Sequence, residues 1–416
     1  MTSRIYYTDP YCRRFDALVT NAFEHDGRPA ALLDRTAFYP TSGGQPFDTG
    51  TLVQAGEAGG ERRGPYGSAI DVIDTFDLDD DVVHILSAPL SEGATVHGEI
   101  DWTRRFDHMQ QHTGQHILSA AFDRLFENRT VSFHMGSDAS TIDLQREASW
   151  DQIARAEGEA NRVVAENREV AIRFVTSEHA AALPLRKEPA REGTLRLIDV
   201  KDFDLSACGG THVSRTGAIG SLVITAAEKF KGGTRVTFAC GSRAIRAFQS
   251  LRDSVAGSVR LLSVLPRELP AAIERMQAET KDLRRTLRKF QEALASHEAA
   301  QLIGVSDVGS GAALVIVEAL DGWDVSGLKA IATHIAAQAN AAVALFSTAS
   351  PHAVVIARSP GVPVDATTVL STLIERFGGR GGGKADLAQG GGFTGSLSEI
   401  LRAARQLLER GLLSLS

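Results

Sequence analysis

The chain has 416 residues, of which 43% are hydrophobic and 23% are charged, and its formal net charge is −7. The length predicts two or three domains. The negative net charge excludes a protein that coats nucleic acid with a generally basic surface, so RNA binding would need local basic patches. Because three cysteines make no disulfide framework and neither a signal peptide nor a run of about 18 apolar residues is present, we expect a cytoplasmic protein without a membrane span.

Residues 1–100 are predicted to form a β-rich, barrel-like domain. Short apolar runs such as 30–33 and 82–86 are separated by clusters of glycine, proline and aspartate, which is typical of strands and turns. Residues 38–46, FYPTSGGQP, form a glycine-rich loop. The aspartates at 71–81 are predicted to lie in a solvated loop.

Residues 101–250 are predicted to form an α+β domain. Apolar residues recur at helical spacing over 107–126, and residues 150–166 have a second amphipathic pattern. Four further segments have the composition of strands. They are residues 130–144, 195–200, 220–226 and 234–239.

Residues 251–300 are predicted to contain a long helix that leads to the last domain. Its apolar side chains follow a sustained heptad seam, interrupted by one threonine. Such a seam packs on a partner helix, either within the chain or in a homodimer. The seam residues are Leu269, Ile273, Met276, Thr280, Leu283, Leu287, Phe290 and Leu294.

Residues 301–416 are predicted to form a small, glycine-rich α/β domain, because strand-like and helical segments alternate there. The run GGRGGGK occupies 378–384, and a second glycine run follows at 390–392. The predicted fold class of the whole chain is therefore α+β, with this α/β block at its end.

Two pairs of potential metal ligands, far apart along the chain, carry the clearest chemical signal. His112 and His116 are four residues apart on a predicted helix, so both imidazoles lie on one face. Cys208 and His212 form the second pair, with two glycines between them that allow a tight turn. Three imidazoles and one thiolate suit Zn²⁺ in tetrahedral geometry. His108 lies one turn before His112, but a fifth ligand would overfill such a site.

These ligands stand in segments that resemble the alanyl-tRNA editing family, the free-standing relatives of the editing domain of alanyl-tRNA synthetase. The resemblance covers most of the chain and is closest to the long form of these proteins. The last block also resembles the glycine-rich domain that ends alanyl-tRNA synthetases and DHH phosphoesterases. The matching segments are 38–46, 104–116 (RRFDHMQQHTGQH), 130–136 (TVSFHMG), 159–167, 208–212 (CGGTH) and 379–391.

The resemblance implies a zinc-dependent hydrolase that removes serine, with glycine as a further candidate, from tRNA(Ala). The resemblance favours a positioning role for the zinc, and with four protein ligands a direct activation of water would need ligand exchange or a fifth position. Selectivity would depend on a pocket that hydrogen-bonds the serine hydroxyl. In the glycine run, Arg380 and Lys384 are candidates for gripping tRNA phosphates. The candidate pocket residues are Gly43, Gly44, Gln45, Gln115, Ser132 and His134.

Three other functions fit parts of this pattern. Editing domains of threonyl-tRNA synthetase have a similar two-part metal motif and remove serine from tRNA(Thr), but the loop at 38–46 and the glycine run favour the alanine system. A phosphoesterase would need a carboxylate-rich metal centre, which Cys208 argues against. A non-catalytic, zinc-containing tRNA-binding protein is the alternative that is not an enzyme.

Overall fold

The computed structural model describes residues 1–55, 66–186, 193–305 and 313–413. The chain forms two compact units, Met1–Ser258 and Val259–Ser416, whose boundary lies within a helix. The architecture is mixed α+β with a closed six-stranded barrel and a long helix, which confirms the predicted fold class at that level. The finer division into four domains stays a prediction. In the described parts, no helix is both long enough and apolar enough to cross a membrane.

A closed barrel begins the first unit. Its strands and two short flanking strands are β1 (Ser3–Arg4), β2 (Arg14–His25), β3 (Arg28–Leu33), β4 (Arg35–Thr36), β5 (Gly50–Ala55), β6 (Tyr66–Leu78), β7 (Asp81–Leu86) and β8 (Thr95–Ile100). The barrel order is β2-β3-β7-β6-β5-β8. Along β6, Val72 and Thr75 are buried whereas Asp71 and Asp77 face solvent. Side chains alternate between the two sides of a strand, and an irregularity in the strand pairing between Val72 and Asp74 shifts that alternation by one residue. The prediction of a loop was wrong for Asp71, Asp74 and Asp77, which lie on β6, and for Asp81, which begins β7. It was right for Asp79 and Asp80, which form the turn between the two strands.

The rest of the first unit packs a long helix against two antiparallel sheets. Its elements are α1 (Trp102–Phe126), β9 (Thr130–Met135), β10 (Ser140–Leu144), α2 (Trp150–Ala165), β11 (Val170–Thr176), α3 (Ser177–Ala181), β12 (Thr194–Val200), β13 (Asp204–Ala207), β14 (Leu222–Phe230), β15 (Gly233–Cys240) and α4 (Ser242–Leu262). The sheet orders are β14-β15-β10-β9 and β11-β12-β13. Helix α1 begins earlier than predicted because Asp101 caps it, accepting a hydrogen bond from the Arg104 N–H. Gly114 allows α1 to lie close to β15, since a Cβ there would be 2.3 Å from the Cys240 Sγ.

The second unit combines a long helix with a five-stranded sheet. Its elements are α5 (Leu269–Gly304), β16 (Leu314–Leu320), α6 (Val325–Gln338), β17 (Ala341–Ser347), β18 (His352–Arg358), α7 (Ala366–Phe377), β19 (Arg380–Lys384), β20 (Leu387–Phe393) and α8 (Leu397–Leu413). Ala295 and Ala299 of α5 are buried in the core that includes α6, but the earlier part of the seam is exposed, as in Leu283 (70%). The sheet order is β16-β17-β18-β20-β19. Arg380 and Lys384 therefore stand at the two ends of an exposed edge strand.

Candidate metal centre

Four side chains from distant parts of the chain meet beside α1. His112 and His116 lie on its buried face, and Cys208 and His212 follow β13. One potential ligand atom from each of the four residues lies within 4.8 Å of the others. The Nε2 atoms of His112 and His212 are 3.4 Å and 3.3 Å from the Cys208 Sγ. The structure thus brings together the two pairs that the sequence singled out, and this group could hold a metal ion.

Hydrogen bonds at Nδ1 fix the orientation of all three imidazoles. Each Nδ1 contacts an oxygen atom on the far side of the ring from Cys208, so the proton is assigned to Nδ1 and the Nε2 lone pair stays available. Outer contacts of this kind hold ligand rings in place for a metal. The three pairs are His112 with Gln45 Oε1 (2.8 Å), His116 with Asp204 Oδ2 (3.0 Å) and His212 with Thr113 Oγ1 (3.2 Å).

Gln45 holds the His112 ring in place and does not line the cavity beside the four ligands. Its side chain is fully buried. Its Oε1 accepts hydrogen bonds from His112 Nδ1 and from the Thr211 N–H, and its Nε2 donates to the Thr211 hydroxyl at 2.8 Å. Because Thr211 lies between Cys208 and His212, the glycine-rich loop is tied to both halves of the site.

Gly210 makes room for the His112 ring. A Cβ at Gly210 would lie 2.1 Å from the His112 Cε1, whereas the nearest neighbour of a Cβ at Gly209 is the Tyr7 hydroxyl at 3.7 Å. Neither glycine adopts the left-handed backbone conformation. The site therefore needs Gly210 for a close approach, and the turn itself does not depend on a conformation that only glycine favours.

Asp204 is the main functional residue that the sequence analysis missed. Its carboxylate accepts hydrogen bonds from His116 Nδ1, from Arg186 Nε at 2.6 Å and from the Ser206 hydroxyl at 3.0 Å. Burial favours the neutral acid, but His116 and Arg186 hold the pKa of Asp204 well below its usual value. The sequence Asp204-x-Ser206 directly before Cys208 could have indicated this role, because residues two apart on a strand such as β13 lie on one face.

Positive charge and imidazoles around Cys208 favour its thiolate. Burial by itself would raise the pKa of this thiol, but His112 and His212 hold the pKa of Cys208 well below its usual value. Arg196 on β12 adds a cation, because its Nη1 donates to the carbonyl oxygens of Cys208 (2.6 Å) and Gly210 (2.9 Å). The thiolate is the form of cysteine that binds metal ions.

A cavity of about 560 Å³ opens beside the four ligands. Three of the predicted pocket residues, Gly43, Gln115 and Ser132, line it. Gln115 Nε2 donates to the Ser119 hydroxyl at 2.8 Å, so its Oε1 is the atom left to accept a hydrogen bond. Besides the ligands, the charged residues in the lining are Asp123, Arg129 and Arg186.

Gly44 and His134 lie outside this lining. The Gly44 carbonyl accepts a hydrogen bond from the Met135 N–H at 3.1 Å, and a Cβ at Gly44 would lie 2.8 Å from the Phe133 oxygen. Gly44 therefore fastens the loop to β9, whose Phe133 ring stacks on His112 with centroids 5.4 Å apart. His134 is exposed, and the cavity lining along β9 extends from Thr130 to Phe133 and does not include it.

His108 is not part of the ligand group. It is 3% exposed, and burial, followed by the nearby Arg104 and Arg243 guanidinium groups, lowers its pKa to about 3. The residue is therefore a buried, neutral side chain on the turn before His112.

Two family descriptions match parts of the chain. "Threonyl and Alanyl tRNA synthetase second additional domain" matches residues 195–237, which include Cys208 and His212. "DHHA1 domain" matches residues 313–410, which include Arg380 and Lys384. The comparisons thus match both the segment with the second ligand pair and the glycine-rich C-terminal block, which the sequence analysis had related to alanyl-tRNA synthetases.

Relatives of the whole chain are known. The alanyl-tRNA editing protein AlaX-L of Pyrococcus horikoshii is 31% identical over 94% of this chain and 94% of its own length. Alanine–tRNA ligases of Pyrococcus furiosus and Halobacterium salinarum are 34% and 36% identical over 71% and 94% of this chain, which spans only 32% and 42% of their lengths. The C-Ala domain of Aquifex aeolicus alanyl-tRNA synthetase aligns at 24% identity over 24% of this chain and 95% of that domain, with a TM-score of 0.22, too low to support a structural argument.

The barrel, the histidine and cysteine centre beside a cavity and these relatives define the class of protein: the chain is an enzyme, an aminoacyl-tRNA hydrolase. It belongs to the alanyl-tRNA editing protein family, because the Pyrococcus horikoshii relative matches nearly the full length of both chains.

Proposed function

We propose that this protein is a trans-editing hydrolase that deacylates mischarged Ser-tRNA(Ala), with Gly-tRNA(Ala) as a second substrate. One observation carries the proposal: His112, His116, Cys208 and His212 meet beside a cavity. The full-length relative is named an alanyl-tRNA editing protein, which supports the alanine system over tRNA(Thr). An aminoacyl ester is an activated bond, so accurate positioning of ester and water supplies much of the catalysis.

The donor set fits Zn²⁺, because three neutral imidazoles and a thiolate are ligands that this ion prefers. The Nε2 atoms of His112, His116 and His212 and the Cys208 Sγ would hold it. Bound by all four, the ion would supply a positive charge that orients the tRNA terminus, since no free position is left for ionising a water. Gln45, Asp204 and Thr113 keep the three imidazoles aligned for this role.

Selectivity for serine over alanine would come from Gln115 and Ser132. The Gln115 Oε1 can accept a hydrogen bond from the seryl hydroxyl because its Nε2 is already engaged with Ser119. Ser132 and the N–H of Gly43 supply donors for the ester carbonyl oxygen. An alanyl group would leave the amide oxygen unpaired, at a cost of about 1–3 kcal/mol, or roughly 5-fold to 150-fold in rate.

The second unit would bind tRNA and a second copy of the chain. Arg380 and Lys384 are exposed on β19 with only glycines between them, so phosphates can approach both cations and the backbone N–H groups. The exposed apolar seam of α5, with Leu283 at 70% and Phe290 at 69% exposure, would pack on the same seam of a partner.

The test is deacylation of Ser-, Gly- and Ala-charged tRNA(Ala), and of Ser-tRNA(Thr), by the purified zinc-loaded protein. We expect serine to be released fastest from tRNA(Ala) and Ala-tRNA(Ala) to stay intact. Faster release from tRNA(Thr) would favour editing in the threonine system, and tight binding without release would favour a non-catalytic zinc-containing tRNA-binding protein.

The metal assignment has its own test. His116→Ala should lose zinc and serine release together, because the remaining three donors hold the ion weakly. Full deacylation by a zinc-free variant would overturn this assignment.

A further inference from the structure

Two arginines lie where the metal-centre cavity meets a second cavity. A cavity of about 470 Å³ adjoins the one of about 560 Å³, and Arg129, Arg186 and Asp123 line both. These three side chains therefore form the partition between the cavities. A ligand that extends from one cavity into the other would place its middle portion against both guanidinium groups.

Arg186 is held at the partition by the metal centre. Its Nε and Nη2 donate to the Asp204 carboxylate at 2.6 Å and 3.2 Å, and its side chain is only 15% exposed. Nη1 has no hydrogen-bond partner among the described residues, so this edge of the guanidinium can donate to an incoming anion. Because Asp204 also accepts from His116, Arg186 links the partition to a potential metal ligand.

Arg129 is the more exposed of the two arginines. Its side chain is 72% exposed, and its nearest carboxylate, Asp123, is 3.7 Å away, beyond hydrogen-bond distance. An ion pair this open contributes little to stability. Arg129 can therefore turn towards another anion at small cost.

Two aspartates that line the second cavity are paired with arginines. Asp199 forms an ion pair with Arg173, and Asp204 is engaged by Arg186. Asp202 is the one aspartate of this lining without an ion pair among the described residues. The cavity also contains Phe203, whose ring lies 4.7 Å from the Arg124 guanidinium.

We propose that Arg129 and Arg186 bind the phosphodiester that joins the terminal nucleotide of the tRNA to the preceding one. The aminoacylated terminal nucleoside then occupies the metal-centre cavity, and the preceding nucleotide occupies the second cavity. This inference rests on the proposed function, and it adds a subsite that binds a phosphate of the RNA backbone. Hydrogen bonds between a guanidinium group and a phosphate are charge-assisted and therefore stronger than those between neutral groups. A protein with a net charge of −7 needs such local cationic sites to bind RNA.

The test compares two seryl esters that differ in the phosphate. Seryl-adenosine lacks it, and the seryl ester of the trinucleotide CpCpA contains it. Arg129→Ala should lower kcat/KM for the trinucleotide ester by about 10-fold, the loss typical of one charged hydrogen bond, and leave seryl-adenosine unchanged. Its plot of log(kcat/KM) against log[salt] for the trinucleotide should be shallower by about 0.7.

Two further variants complete the design. Arg28→Ala removes an exposed arginine from the barrel and should change neither ester. Arg186→Gln should slow both esters, because Asp204 loses a partner, and should slow the trinucleotide ester further. Equal losses on both esters in Arg129→Ala and in Arg186→Gln, or unchanged hydrolysis in Arg129→Ala, would overturn the phosphate subsite.

A separate outcome identifies failure of the proposed function. If the wild-type protein hydrolyses neither ester and releases no serine from Ser-tRNA(Ala), the editing activity is refuted, and binding decides the subsite. Uncharged CpCpA should then bind about 10-fold more weakly to Arg129→Ala than to the wild type in fluorescence anisotropy. Equal affinities would refute the subsite as well.

Discussion

The Oε1 atom of Gln45 lies 2.8 Å from Nδ1 of His112, although 67 positions separate the two residues along the chain. This contact joins the glycine-rich loop to the helix that carries the first ligand pair. Gln45 is therefore a positioning residue, which acts through His112 and Thr211.

Removing the Gln45 amide should weaken metal binding. Gln45→Leu leaves the His112 Nδ1–H and the Thr211 N–H without an acceptor, so zinc affinity should fall about 10-fold to 100-fold. Gln45→Glu retains oxygen acceptors and should keep most of the affinity. Competition with a chromophoric chelator measures both, and wild-type affinity in Gln45→Leu would contradict the assigned role.

The two glycines between Cys208 and His212 should differ in their tolerance of a methyl group. Gly210→Ala places a Cβ against the His112 ring, at 2.1 Å before any relaxation, and should displace the ring and abolish tight zinc binding. Gly209→Ala meets its nearest atom at 3.7 Å and is the matched control, which should bind zinc like the wild type. Zinc content after dialysis distinguishes the two, and equal content would refute the packing argument.

Asp204 should control the affinity of the metal centre without being a ligand. Asp204→Asn removes the negative charge that pairs with Arg186 and orients His116, so zinc affinity should fall about 10-fold to 100-fold. Asp143→Asn is a suitable control, because Asp143 forms a comparable ion pair with Arg235 on the sheet. If both variants bind zinc equally well, Asp204 has no special part in the site.

His84 should make the stability of the barrel dependent on pH. It is fully buried between the Thr36 hydroxyl (2.8 Å) and the Ala31 carbonyl (3.2 Å), and burial lowers its pKa from 6.5 to about 4. Between pH 4 and pH 6.5 the unfolded chain therefore binds more protons than the folded chain. The contribution of His84 to the stability of the folded chain is complete above pH 6.5 and is lost as the pH falls towards 4. At pH 5.5 the expected loss of stability relative to pH 7.5 is about 1.3 kcal/mol.

The measurement is urea unfolding of the zinc-free protein at pH 7.5 and 5.5, in the wild type and in His84→Gln. The variant lacks a titrating group at this position, so its stability should change less over this range. An identical pH dependence in both proteins would assign the effect to other groups.

The exposed seam of α5 should mediate self-association. Leu287→Lys places a charge in the middle of the seam and should convert a dimer into a monomer in sedimentation equilibrium, because apolar seam positions carry helix pairing. Thr286→Lys adds the same charge one residue outside the seam and should leave the association unchanged. A wild-type monomer at micromolar concentration would refute the dimer.

Local patterns in the sequence predicted α1, α2 and α5, barrel strands such as β3 and β7, and both ligand pairs, but they did not predict α4. The His112 and His116 pair follows from the helical repeat, and α5 follows from its heptads, since both depend on neighbours within a few residues. The same reasoning placed aspartates such as Asp71 and Asp77 in a loop, because a run rich in aspartate resembles a turn when the alternation of a strand is ignored. Gln115 and Ser132 line the cavity as expected, and Gln45 does not.

The sequence by itself determined which donor atoms are available for a metal ion, because residue type and local spacing fix that chemistry. Only the tertiary structure decided how the donors are oriented: Gln45, Asp204 and Thr113 reach the three imidazoles from separate segments, up to 99 positions away along the chain. Such contacts depend on how the helix, the strand and the loop pack together. Sequence periodicity reports only on residues that are close along the chain, so it does not predict which distant segments come into contact.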